Sequence, residues 1–199
     1  MQFQSRRPKW FVVSISALAA LSPGTLHAHP LHNSMSGLTG GLLHPFAGLD
    51  HILAMVAVGF WAAQLGGRAR WLVPASFLAM MTVGGATGFG RMPVPFVEQG
   101  IAASLVVFGL LIAVAARLPV WGGMALVGFF ALFHGHAHAA EMTYNVAVTA
   151  YAIGFVLATA GLHLAGIALG VLAQCRGNLL MPRLVGISVI VAGLLSCWA

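Results

Sequence analysis

Residues 146–173 read VAVTAYAIGFVLATAGLHLAGIALGVLA, a stretch without one aspartate, glutamate, lysine or arginine. A helix needs about 20 apolar residues to cross a hydrocarbon core of about 30 Å, and this run supplies them with length to spare. It shows no alternation of apolar and polar residues, so it is not a barrel strand. Working outward, comparable runs recur on both sides, and helices are expected near residues 44–65, 71–90, 99–116, 120–139, 146–173 and 182–198. The breaks combine turn formers with charge or polarity, as in Gly66-Gly67-Arg68-Ala69-Arg70, Arg91-Met92-Pro93-Val94-Pro95, Arg117-Leu118-Pro119, Met142-Thr143-Tyr144-Asn145 and Cys175-Arg176-Gly177-Asn178. Of the 199 residues 60% are hydrophobic and 6% charged, with a mean hydropathy of +0.95. About a quarter of the residues in a soluble domain carry charge, so this composition belongs in lipid. The expected fold class is all-α, a polytopic membrane helical bundle with six transmembrane helices.

The amino terminus has the three parts of a secretory signal. Arg6, Arg7 and Lys9 precede an apolar stretch from Trp10 to Leu21, followed by Ser22-Pro23-Gly24-Thr25-Leu26-His27-Ala28. Residues 1–28 are therefore expected to be a signal peptide, leaving 29–199 as a single transmembrane domain; the competing reading is an uncleaved first helix. With the chain starting outside, the inner loops hold Arg68, Arg70, Arg117, Arg176 and Arg183 and the outer loops Arg91 alone, as the positive-inside rule requires. Both mature termini then lie in the periplasm of a bacterial cell with the protein in its inner membrane. The formal charge of +6 comes from cations scattered singly among apolar runs, which excludes a nucleic-acid surface. No Walker-type glycine loop is present for ATP hydrolysis. Cys175 and Cys197 fall at opposite ends of the last helical region, too far apart for a disulfide. Nothing in the pattern specifies an oligomeric state.

The chemistry sits in two histidine clusters. The whole chain has three carboxylates, Asp50, Glu98 and Glu141. An ionisable group in a spanning helix costs about 2.5–3.5 kcal/mol on insertion scales, so it is expected to face a partner, a cavity or a transported ion. The first cluster is His44-Pro45-Phe46-Ala47-Gly48-Leu49-Asp50-His51. In a continuous helix His44 and His51 share a face and Asp50 is turned about 100° away. The second is Phe133-His134-Gly135-His136-Ala137-His138-Ala139-Ala140-Glu141, where spacings of four and three put His134, His138 and Glu141 on one face as an N,N,O site. Both clusters are expected at outer helix ends. Imidazoles with a carboxylate suit borderline divalent ions such as nickel, cobalt, zinc or copper, whereas magnesium and calcium prefer oxygen shells. His163, deep in the run quoted first, is either a third ligand or a buried histidine bonded to a carbonyl. His136, His29 and His32 are weaker candidates, the last two as a surface lure. Met55, Met80, Met81 and Met124 read as packing, Glu98 as an acid at a helix start.

The pattern His44-Pro-x-x-Gly48-x-Asp50-His51 resembles the signature of the HupE/UreJ family of bacterial nickel permeases. Phe133-His134-Gly135-x-Ala137-His138-x-x-Glu141 is similar to that family's second motif, and Leu162-His163 to its fifth-helix histidine. Ala139 stands where the family often has glycine, and His136 occupies a variable slot. The resemblance implies passage of Ni2+, with Co2+ as a related cargo, from periplasm to cytoplasm for hydrogenase or urease maturation, with no permanently bound cofactor and no ATP hydrolysis. By position it implies a metal role for His44, Asp50, His51, His134, His138, Glu141 and His163. From the residues alone, two other functions stand beside it: an intramembrane zinc-dependent hydrolase and a haem-binding electron carrier.

Overall fold

The computed structural model describes residues 37–142, 147–177 and 180–198. The signal segment 1–28, His29, His32 and the turn residues Thr143-Tyr144-Asn145 lie outside the described residues. Within them the chain is helical and without strands: α1 (Leu38–Leu43), a 3-10 turn (His44–Phe46), α2 (Leu49–Leu65), α3 (Ala69–Phe89), α4 (Val97–Ala113), α5 (Val120–Ala140), α6 (Val148–Cys175) and α7 (Leu180–Ser196).

Five of the six expected helices occur within two or three residues of their predicted limits. The first does not. The span expected over 44–65 is broken, with α1 and the 3-10 turn meeting α2 at 86°. The glycine-rich stretch just before residue 44, outside the expected helices, contributes the short helix α1. Three helices, α3, α5 and α6, are long and apolar enough to cross a membrane, and the bent α1–α2 pair would be a fourth. α4 and α7 are apolar but 17 residues each, about 26 Å at 1.5 Å per residue. Large apolar side chains such as Trp71, Leu110, Trp121, Leu157 and Leu184 are exposed on the outer faces of α3 to α7, the arrangement of a bundle surrounded by lipid.

α3 lies along α5, α2 along α6, α4 along α7, and α1 against the start of α6. Lipid tails are as apolar as leucine, so helices in a membrane associate through close packing and hydrogen bonds more than through water exclusion. Gly135 of α5 shows how close: a Cβ there would collide with the Met81 carbonyl of α3, as one on Gly84 would with the Leu132 carbonyl. Phe60, Trp61, Phe77, Phe108, Met55 and Met81 fill the interior between these pairs, so the methionines at 55 and 81 are packing residues, as expected. Glu98 sits in the first turn of α4, again as expected.

The two ends of the bundle differ. Trp61 Nε1 donates to the Ala116 carbonyl at 3.0 Å, Gln64 Nε2 to Ile112 at 3.2 Å and Gln174 Nε2 to Ala63 at 2.8 Å, which gathers the C-terminal ends of α2, α4 and α6 together. Arg68, Arg117 and Arg176 are at that end. At the other end lie the start of α2, the ends of α3 and α5, the start of α6, and both histidine clusters.

Candidate metal centre

The break in the first span is built from its own residues. Pro45 has no amide hydrogen to continue α1, and the chain tightens into a 3-10 turn in which the Ala47 N–H donates to the His44 carbonyl at 3.0 Å. Gly48 is then extended, at φ −116° and ψ 128°, and α2 starts when the Ile52 N–H donates to the Gly48 carbonyl at 3.2 Å. Any residue can adopt that conformation, so glycine is needed there for space. The Asp50 carboxylate folds back over Gly48: Oδ1 accepts the His51 backbone N–H at 2.9 Å and lies 3.0 Å from His51 Nδ1. A Cβ on Gly48 would be 2.6 Å from that Oδ1. The reading of His44 and His51 as one face of a continuous helix is thus replaced. They stand on two arms of a bent segment and converge because of the bend.

They converge on α5. The His138 ring centroid is 4.7 Å from that of His44 and 3.9 Å from that of His51, and His51 is 4.9 Å from His134. His44 Nε2 lies 3.6 Å from Glu141 Oε2. One donor atom each from His44, His138 and Glu141 fall within 4.8 Å of one another. Ligand atoms held about 2.1 Å from a transition metal are at most about 4.2 Å apart, so this trio is within a small closure of a coordination site. The expected trio on α5 alone is regrouped: His138 and Glu141 take His44 as third member, while His134 faces inward to His51 and Phe77.

Exposure falls along this row. The Glu141 side chain is 69% exposed and that of His44 15%, whereas His134 is fully buried. Beyond His134, Phe77 stands 5.6 Å from it and 5.0 Å from His163, so one phenyl ring lies between the two buried histidines. Both His163 ring nitrogens are buried without a hydrogen-bond partner, as are His51 Nε2, His134 Nδ1 and His138 Nε2. The carbonyl-bonded alternative for His163 is therefore not what is observed. Buried polar atoms without partners are uncommon, and these five, one of which on His163 carries the ring proton, cluster on four histidines with one lone pair per neutral ring. Rings this close leave no gap for a haem between them. A cavity of about 240 Å³ opens beside His138, bordered by Met81, Met142, Tyr151 and Phe155.

His136 turns away from this row. Its Nδ1 is 3.0 Å from Thr87 Oγ1, whose own proton goes to the Gly84 carbonyl at 2.6 Å, so the ring N–H donates to the threonine and ties α5 to α3. Thr87, Phe77 and Ser104 escaped the sequence reading. Ser104 Oγ lies 3.0 Å from His134 Nε2 and is fully buried. Its signal was available, since it is the one hydroxyl in the apolar run 101–116.

Comparison with known proteins places the sequence in a family. The family described as HupE / UreJ protein matches residues 7–196. Protein HupE of Rhizobium leguminosarum bv. viciae is 44% identical over 180 residues, covering 89% of this chain and 93% of that protein. No solved structure matches. With a match running over almost its whole length, the chain belongs to the HupE/UreJ family.

Proposed function

We propose that this protein is a bacterial inner-membrane permease that takes up Ni2+ from the periplasm and releases it to the cytoplasm for hydrogenase or urease maturation. The observation that carries the reading is the convergence of His44, His138 and Glu141 within 4.8 Å at one end of an apolar bundle, with His51, His134 and His163 behind them. A hydrated dication meets the exposed Glu141 first, exchanges water for imidazole at His44 and His138, and passes to His51 and His134. The donor set suits nickel and equally cobalt, and the nickel assignment draws on the family. The arginines at the opposite end favour that end as cytoplasmic, which makes the histidine end the entrance. In this reading α4 and α7, at the short limit for a span, also cross, giving six. The metal is cargo, so no resident cofactor is required.

Imidazole binds a metal only through a free lone pair. Uptake is therefore expected to fall as external pH drops, because protons compete with the cargo for these lone pairs. The deciding test is uptake of radiolabelled nickel at limiting concentration by a nickel-dependent host. His138→Ala and Glu141→Ala at normal protein levels should each reduce it to background. Unchanged uptake in both removes the proposed entrance.

A further inference from the structure

We infer that Ser104 is a positioning residue that fixes the tautomer of His134, so that Nε2 carries the proton and Nδ1 offers its lone pair to the cargo. The inference rests on the permease reading for its purpose, but its argument comes from hydrogen bonds. A neutral imidazole has one donor and one acceptor nitrogen. His134 Nδ1 is buried and without a partner, so a proton on it would be a buried donor with no acceptor. His134 Nε2 has a partner, Ser104 Oγ at 3.0 Å. The serine hydroxyl has one proton, and its contact to the Ile101 carbonyl at 2.6 Å is the shorter of the two. The serine oxygen therefore accepts from the histidine, and the proton belongs on Nε2.

His51, facing His134 edge-on, has the complementary arrangement. Its Nδ1 points to Asp50 Oδ1 at 3.0 Å and its unpartnered nitrogen is Nε2. An ionised carboxylate only accepts, so the His51 proton sits on Nδ1. Two perpendicular rings with centroids 4.9 Å apart thus present His51 Nε2 and His134 Nδ1 as lone pairs, each secured on its far nitrogen by a neighbour. An outer partner that fixes tautomer and ring orientation is the common device of metal-ligating histidines, and its removal typically lowers metal affinity by about 10–100-fold. Asp50 does this with a charge from the adjacent residue. Ser104 does it from another helix, which makes α4 part of the metal path although it contributes none of the proposed ligands.

The test is nitrogen-15 NMR of the metal-free full-length protein with labelled histidine, the His134 signals being assigned by their loss in His134→Gln. The expected result is a protonated Nε2 and a bare Nδ1. A His134 protonated on Nδ1 in the unsubstituted protein overturns the inference whatever the variants do. Ser104→Ala should convert His134 to a mixture of tautomers and weaken Ni2+ binding to the purified protein by about 10–100-fold. Ser104→Thr, which keeps the hydroxyl, should restore both. A Ser104→Ala protein with lower thermal stability but unaltered tautomer and affinity would reduce Ser104 to a packing residue and sink the inference. Failure of the permease reading looks different: the unsubstituted protein would show the expected tautomer and bind Ni2+, yet cells carrying it would take up none.

Discussion

Substituting Gly48 by alanine tests the geometry around Asp50 with a single methyl group. At φ −116° and ψ 128° alanine fits the backbone, so no conformational strain is introduced. The new Cβ would lie 2.6 Å from Asp50 Oδ1 and 3.1 Å from His51 Nδ1. To reach an ordinary contact of about 3.5 Å the carboxylate must withdraw by about 1 Å. The two hydrogen bonds to His51, now 2.9 and 3.0 Å, then stretch toward 4 Å and cease to hold the ring. Asp50 is 27% exposed, so water recovers part of what its carboxylate loses, and the cost to folding should stay near about 1 kcal/mol. The cost to metal binding should be larger, about 10–100-fold in affinity or about 1.4–2.7 kcal/mol, because His51 loses its fixed tautomer. Nickel uptake at limiting concentration, normalised to protein level, reads this directly. The double substitution Gly48→Ala with Asp50→Ala supplies the refutation. If the methyl acts only by displacing the carboxylate, the double variant is no worse than Asp50→Ala alone. Additive losses, or normal uptake in Gly48→Ala, would show that the Asp50 contact is not what Gly48 protects.

Other positions separate architecture from metal handling. Gly135→Ala drives a Cβ into the Met81 carbonyl and should force α3 from α5, costing about 3 kcal/mol and lowering both the melting temperature and the amount of protein; an unchanged melting temperature would refute that packing. His136→Ala removes the bond to Thr87 and should cost about 1 kcal/mol of stability while leaving uptake intact, so loss of uptake at normal protein level would place His136 on the path. His163→Leu replaces two partnerless buried nitrogens by an apolar group and should hold or raise stability while abolishing uptake. Full activity in that variant would leave His163 without a role in transport.

The fold was legible where composition decides it. Residues 120–140 and 148–175 have few alternatives to a spanning helix, and both occur within two residues of expectation. The 86° break was harder to see. Pro45 lacks an amide hydrogen, which suits the first turn of a helix and equally ends one. What decides between them is the extended Gly48, and that depends on a carboxylate two residues away returning over it. The clusters stand out in the sequence as candidate metal donors because imidazole and carboxylate are rare at membrane depth. Their grouping does not, since helical spacing describes only neighbours on one helix. It puts His134 with His138 and Glu141, while the bend brings His44 to Glu141 and leaves His134 for His51. Ser104 was passed over for the same reason: a lone serine in an apolar run has meaning only beside the ring that another helix carries to it.

The bend also explains how two histidines seven residues apart can serve two successive positions. In a straight helix the side chains of His44 and His51 would be stacked about 10 Å apart along one axis, and α5 would have to match that spacing with its own pair. With the chain folded at Gly48, both rings instead reach His138, at 4.7 and 3.9 Å. His138 is then shared, with Glu141 and His44 on its exposed side and His51 on its buried side. In the proposed path an ion moves from a mixed oxygen and nitrogen set to a nitrogen set by exchanging one ligand at a time around a ring that stays bound. That sequence predicts an asymmetry. Glu141→Gln should weaken capture at low nickel and be overcome at high nickel, because it lies before the shared ring. His138→Ala should not be rescued by added nickel, since it removes the common ligand. Equal rescue of the two variants at saturating nickel would contradict the shared-ring order.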